Sequence, residues 1–499
     1  MTTPVPIRSQ PGVQRDGTRF DSLAYIDAQW CRFQRGLPRK IRGYQMVNDT
    51  LLENVYGMHS FSANGLQYLH MGSATELRQI TVQGGISQTN NDRAPDGLAE
   101  SPFNVWQFDA IYDSNAGEIV LVAHAAPNLQ NIDSSTQTSI WYGGITGTGA
   151  LSATGLDDTS GGIVVVGNYL VSLGSEGRVQ WTPANDVSSV EGELFVTPQK
   201  LIRGFRYRGG GIPAALLWSL DSLLLMRLNT TGENITWNFD TLTDEISVLS
   251  SRGIIEYNGI FYWPGVDSWK MFNGVVQDLP NPFNTNWFFD GLNYTHRQKV
   301  FAFKVPRFGE IWWCYPRGSA TECTHAVIYN VREQIWYDTE LPDLRRTDGI
   351  YAKVYNRPFM VSLQNPGAGR VLYQHETGVD HIYASQVNPI PSWFETGEIS
   401  LLRQGQDSTT HVARIEPDFV QSGEMQLSVR GRNNSRSPTV SSQIYSFPAV
   451  ASEGSQETIP LKETRRLMSF KFESNVQGGN YQMGNTLAHL DPAGKRVQT

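Results

Sequence analysis

A turn followed by a run of strong β-formers returns seven times along this chain at nearly constant spacing, and that repeat limits the fold more than any other feature. The turns and their outgoing runs read Asn64-GLQYLHM, Asn115-AGEIVLVAH, Asn168-YLVSL, Asp221-SLLLMRL, Asn258-GIFYWPG, Gly309-EIWWCYP and Asn356-RPFMVSL. Successive turns are 51, 53, 53, 37, 51 and 47 residues apart. A third run follows each: ELRQITV, NLQNI, RVQWTP, NITWNF, SWKMFNG, HAVIYNV and RVLYQ. Asn, Asp and Gly tolerate the positive φ of tight hairpins, and Ile311-Trp312-Trp313 suits a half-buried strand. A period near 50 residues with three or four short strands per unit predicts β-propeller blades, which bury both faces only by packing on their neighbours. Unrelated hairpins in a large sandwich are the alternative. The repeat favours an irregular six- or seven-bladed β-propeller over residues 51–380, the 37-residue step marking the irregularity.

The two ends follow other rules. Residues 1–50 read as a basic N-terminal arm, with eight bases and three acids between Arg8 and Arg42. Since the whole chain has 40 bases and 48 acids, the remainder holds 32 against 45 and is net −13. Aromatic and basic residues alternate in the arm, and Trp30, Arg32, Phe33, Arg35, Arg39 and Arg42 stand out as a candidate assembly interface. Aromatic anchors mixed with Arg are enriched at interface hot spots. Single-stranded nucleic-acid sites also combine aromatics with bases, but a net-negative body opposes phosphate at long range. Residues 385–499 lose the repeat and gain period-2 strands such as ARIEPDFV, Met425–Val429 and Met468–Phe472, separated by connectors RNNSRSPTVSS and VASEGSQE. Alternation of this kind marks sheets with one dry face, so a C-terminal β-sandwich is expected. The class is all-β.

Signals for chemistry are sparse. No phosphate-binding loop, H-E-x-x-H pair or G-x-S-x-G elbow occurs, and GGITGTGALSATG and RGGGIP (Arg208 to Pro213) read as turns or loops without a helix to follow. Asp113-Ser-Asn115-Ala-Gly117-Glu118 resembles the start of a calcium loop but lacks the later bidentate Glu and coincides with a hairpin turn. His375, Asp380 and His381 offer no ligand quartet at familiar spacing. No metal, cofactor or enzymatic activity is expected. Cys31, Cys314 and Cys323 are an odd number and read as buried free thiols. MTTPVPIRSQPG has no apolar core of a secretory signal, and the most apolar stretch, Ala214 to Met226, is interrupted by Asp221 and too short for a bilayer. No membrane insertion is expected.

Two segments carry a resemblance. QPGVQRDGTRFDSLAYIDAQWCRFQRGLPRKIRGY is similar to the opening of structural proteins from short-tailed bacteriophages, with their DGT turn, Tyr-x-Asp-x-x-Trp strand and G-x-P-R-K-I-x-G-Y element. RIEPDF, LSVRGRN and RLMSFKFESNVQGGNYQMGN resemble their closing domain, and VIYNVREQIWYD and EYNGIFYWPG their middle. The resemblance implies a tail nozzle or tail hub subunit. Such a subunit self-associates into a ring, a homo-hexamer as a rule, under the portal and adaptor (the head-to-tail connector protein). It also meets a tail fibre or spike, and genomic double-stranded DNA passes it non-specifically during ejection. The implied location is the virion tail, with assembly in the host cytoplasm. A conduit that lets a polyanion slide is better lined without strong positive charge, because counterion release would hold the DNA. A receptor-binding or polysaccharide-degrading phage tail protein is the rival reading, although a complete Asp-box, S-x-D-x-G-x-T-W, is absent.

Overall fold

Six of the seven turns join the first strand of a blade sheet to its antiparallel second strand, five of them in four-stranded sheets and Asn356 in a six-stranded one. Asn64, Asn258 and Asn356 take the left-handed φ that favours Asn there, at 51°, 53° and 52°. The computed structural model describes residues 3–495 except 52, 84–85, 97, 99–104, 126–138, 210, 230–235, 343–344, 354, 364–368, 401–407 and 450–457. The run NLQNI, the first two residues of NITWNF and the connector VASEGSQE lie outside the described residues.

Among the described residues the repeat forms seven blade sheets, six of them four-stranded, spanning 58–92, 106–153, 162–195, 201–243, 255–278, 301–340 and 346–375. The last has three strands of its own; Tyr44–Leu51, from the chain's start, pairs with Arg370–His375 as its fourth, and His381–Tyr383 (parallel to Tyr44–Leu51) and Gln386–Asn388 extend the sheet to six. Apolar cores lie between consecutive sheets rather than within them. One holds Ile311, Trp313 and Trp336 against Trp269 and Tyr262, and another holds Leu69 and Ile80 of the first sheet against Phe359 and Val361 of the seventh. That last core joins the ends of the series, and the architecture is a seven-bladed β-propeller. Alternation explains the strand Glu310–Tyr315: Ile311 and Trp313 face one neighbouring core and Trp312 the other. Burying a Trp removes about 150–250 Å² from water, about 4–6 kcal/mol at 25 cal/mol/Å² before entropy is charged.

Asp221 corrects the sequence reading. It sits between the second and third strands of the fourth blade, Ala214–Ser219 and Leu223–Asn229. The first turn of that blade lies between Leu201–Tyr207 and Ala214, in the RGGGIP stretch. The 37-residue step therefore arose from matching a second turn to first turns, since both carry the same turn chemistry.

The arm also needs correction, because residues 1–50 do not stand apart. Thr3–Pro6 pairs with Leu487–Lys495, Asp27–Gln29 with Ser392–Glu395, and Leu37–Lys40 with Asn480–Met483. A short extended segment needs partners for its backbone groups wherever it is buried, and here the far end of the chain supplies them. From Ser392 onward, the stretch expected to form a sandwich lies in three sheets, each of which also takes a strand from the first 50 residues, with Leu427 opposite Phe472 and Val429 opposite Phe470. Cys31, Cys314 and Cys323 are buried and free, burial pushing the Cys31 thiol up to about 12. Among the described residues no helix is long and apolar enough to cross a membrane.

Candidate functional site

The six arm residues separate into an inner and an outer group. The strand Cys31–Gln34 turns at Arg35 and Gly36 into Leu37–Lys40, and alternation sends Arg32 and Phe33 to opposite sides of a covered hairpin. Trp30, Arg32 and Phe33 are 1 %, 0 % and 1 % exposed. Trp30 donates its Nε1–H to the Arg42 carbonyl at 3.1 Å and stands edge-on to Tyr44 and Trp312. Arg32 lies 2.8 Å from a Glu310 oxygen, donates to Glu376 at 3.0 Å, and stacks 3.7 Å above the Phe308 ring centroid. Glu310 also accepts the Tyr337 hydroxyl at 2.6 Å and the Trp312 Nε1–H at 2.8 Å. Burial pushes the Glu310 carboxyl above the usual range, Arg32 pulling it back. These three residues are consumed inside one subunit, which removes them from any docking surface. A buried ion pair adds little net stability because desolvation offsets its attraction, yet removing one partner is costly.

Arg35, Arg39 and Arg42 reach the surface, where residues far along the chain join them. Arg39 is lowered first by burial and then by the charges of Arg32, Arg42 and Arg307. Burial, Arg42 and Arg307 act likewise on Arg357, with Glu376 opposing. Arg39, Arg42, Arg307 and Arg357 thus form one patch of like charge, held at the junction of the hairpin with the sixth and seventh blades. Arg307 and Arg357 had no local signal marking them; each follows or opens a strand beside a turn.

The weak metal candidates have other occupations. Asp113 closes its hairpin turn by accepting the Ala116 N–H at 3.0 Å. His375 and His381 stack on Tyr44, and Asp380 accepts the Gly478 N–H at 2.8 Å. Among the described residues no group of three or more His, Cys, Asp or Glu is placed to hold a metal ion.

A second site lies where first strands of several blades converge. A cavity of about 850 Å³ is lined by Asp109, Val164, Arg203, Phe205, Glu256 and Lys353, among others, from five blades. Asp109 takes Arg206 at 2.6 Å and the Val165 N–H at 2.8 Å; burial nonetheless raises its carboxyl above the ordinary value. The cavity combines aromatic walls with three guanidinium groups and two carboxylates, an arrangement that can bind a ligand.

No protein-family model and no curated protein matches the chain. Among solved structures, one titled "AfRom2 CNH domain" aligns at a TM-score of 0.39 and 8 % identity, covering 66 % of this chain and 98 % of that one.

Proposed function

We propose that this chain is a non-enzymatic structural subunit of a short-tailed phage tail, one member of a nozzle ring below the portal and adaptor. The observation that carries the reading is where the phrases of the resemblance fall. In the DGT turn, Asp16 accepts the N–H groups of Asn286 and Trp287, both at 2.9 Å, at the start of the helix α1 (Thr285–Gly291). In the Tyr-x-Asp-x-x-Trp strand, Tyr25 and Trp30 enter the core and Asp27 pairs with Arg15 at 2.6 Å. In GLPRKIRGY, buried Lys40 donates to the Gly479 carbonyl at 2.8 Å, and a Cβ on Gly43 would meet the Asp380 oxygen at 2.1 Å. These three phrases tie the chain's start to its far end or to the propeller, and the side chains named in them serve packing and hydrogen bonding. Locked termini suit a conduit subunit, since chain ends are where local unfolding starts.

A ring requires two different surfaces on each subunit. The arginine patch is one of them in this reading, docking on acidic surface of a neighbouring copy or of the adaptor, which a chain of net −8 has to spare. Electron microscopy of the purified protein and a charge-reversal set, Arg35→Glu, Arg39→Glu and Arg42→Glu, test it together. Rings are expected for the parent and monomers with intact circular dichroism for the variant. Normal rings with lost DNA retention on filters would assign the patch to phosphate. A trimer that releases sugar from host polysaccharide would replace the nozzle by the receptor-binding or polysaccharide-degrading reading.

A further inference from the structure

The propeller's central cavity holds an electrostatic imbalance that its own residues do not resolve. Of the charges lining it, Arg206 is neutralised by Asp109, and Glu256 by Lys304 at 3.0 Å. Arg203, Arg208 and Lys353 line the same space, and their side chains make no ion pair or hydrogen bond among the described residues. Arg203 is the sharpest case. Its Nε–H is buried without an acceptor although the residue as a whole is only half-buried, and its guanidinium lies 4.9 Å over the Phe205 ring. Burial lowers it to about 10, Asp109 and Asp348 acting from a distance to raise it. A buried N–H without an acceptor costs about 1–3 kcal/mol, and an oxygen of a ligand entering the cavity can supply the missing acceptor. The planar fork of Arg matches carboxylate and phosphate oxygens.

We propose that this cavity is a binding site for a small organic oxyanion, a carboxylate or a phosphate ester. Its charged end sits between Arg203 and the mouth residues Arg208 and Lys353, and its body lies on Phe205 and Phe108. About 850 Å³ falls within the range of small-molecule sites, and Arg208 of the fourth blade and Asn258 of the fifth, each next to a strand end, line it. The inference is independent of the nozzle reading, since a propeller of any function would carry it.

Isothermal titration calorimetry of the full chain with glucose 6-phosphate, glucuronate and inorganic phosphate tests it, the first two separating phosphate ester from carboxylate. Saturable binding by at least one probe, with Kd at or below about 1 mM, is expected. Arg203→Met should weaken it at least tenfold and raise the Tm of the unliganded protein, because the substitution removes a buried Nε–H that has no acceptor. Arg208→Gln with Lys353→Gln, at the exposed mouth, should weaken binding with Tm unchanged, and this pair reads the site should the Met variant misfold. Absence of binding by any probe up to about 10 mM, binding indifferent to these substitutions, or a lowered Tm in a folded Arg203→Met would overturn the proposal.

Discussion

Replacing Arg32 by Met takes the cation out of a site where the Glu310 side chain is 0 % and the Glu376 side chain 8 % exposed. Methionine fills most of the stem's volume, so the loss is chiefly electrostatic. Two carboxylates remain facing each other, and removing one partner of a buried pair costs about 3–5 kcal/mol. At about 2.1 cal/mol/K per residue, 499 residues unfolding as one unit lose about 1 °C of Tm per kcal/mol. A drop of about 3–5 °C at neutral pH is therefore expected by differential scanning calorimetry. The pH dependence has a fixed sign. Glu310 already lies above the usual carboxylate range, and Arg32 is the main cause holding it down. Without Arg32 the folded state binds a proton that the unfolded state releases, so the deficit grows as pH rises through the carboxylate range and shrinks as it falls. Adding Glu310→Gln and Glu376→Gln to Arg32→Met should recover most of the loss. A drop under about 1 °C that is flat with pH, or one that neutralising both carboxylates leaves in place, would refute the reasoning.

Gly43→Ala places a methyl group against backbone, the Asp380 oxygen at 2.1 Å and nitrogen at 2.5 Å; destabilisation of about 1–3 kcal/mol should appear as a lower urea midpoint with the slope unchanged. His124 is buried, donates to the Thr159 carbonyl at 2.9 Å, and is held down to about 4 by burial. Its contribution is present above its unfolded value of about 6.5 and is lost as pH falls towards 4, so His124→Gln should flatten the stability profile between those limits.

Turns, strands and their spacing were legible because each depends on a few adjacent residues. Asn at positive φ, and alternation such as Ile311-Trp312-Trp313, are settled by backbone sterics and the pleat. The same locality explains the error at Asp221, where two turns of one blade offered equivalent chemistry. In the candidate interface, the sequence grouped Arg32 with Arg39 and Arg42, although Arg32 is fully buried and the other two keep partial exposure. Nothing near Arg32 signals burial, because Glu310 and Glu376 stand 278 and 344 positions away. Arg307 and Arg357 join the patch, and Arg203 meets an empty space, for the same reason. The sequence by itself determined strands, turns and the fact of a repeat. Only the tertiary structure decided that the chain's start threads its end and closes the seventh blade, because backbone groups in an isolated strand accept any partner, and which partner arrives depends on the whole folded chain.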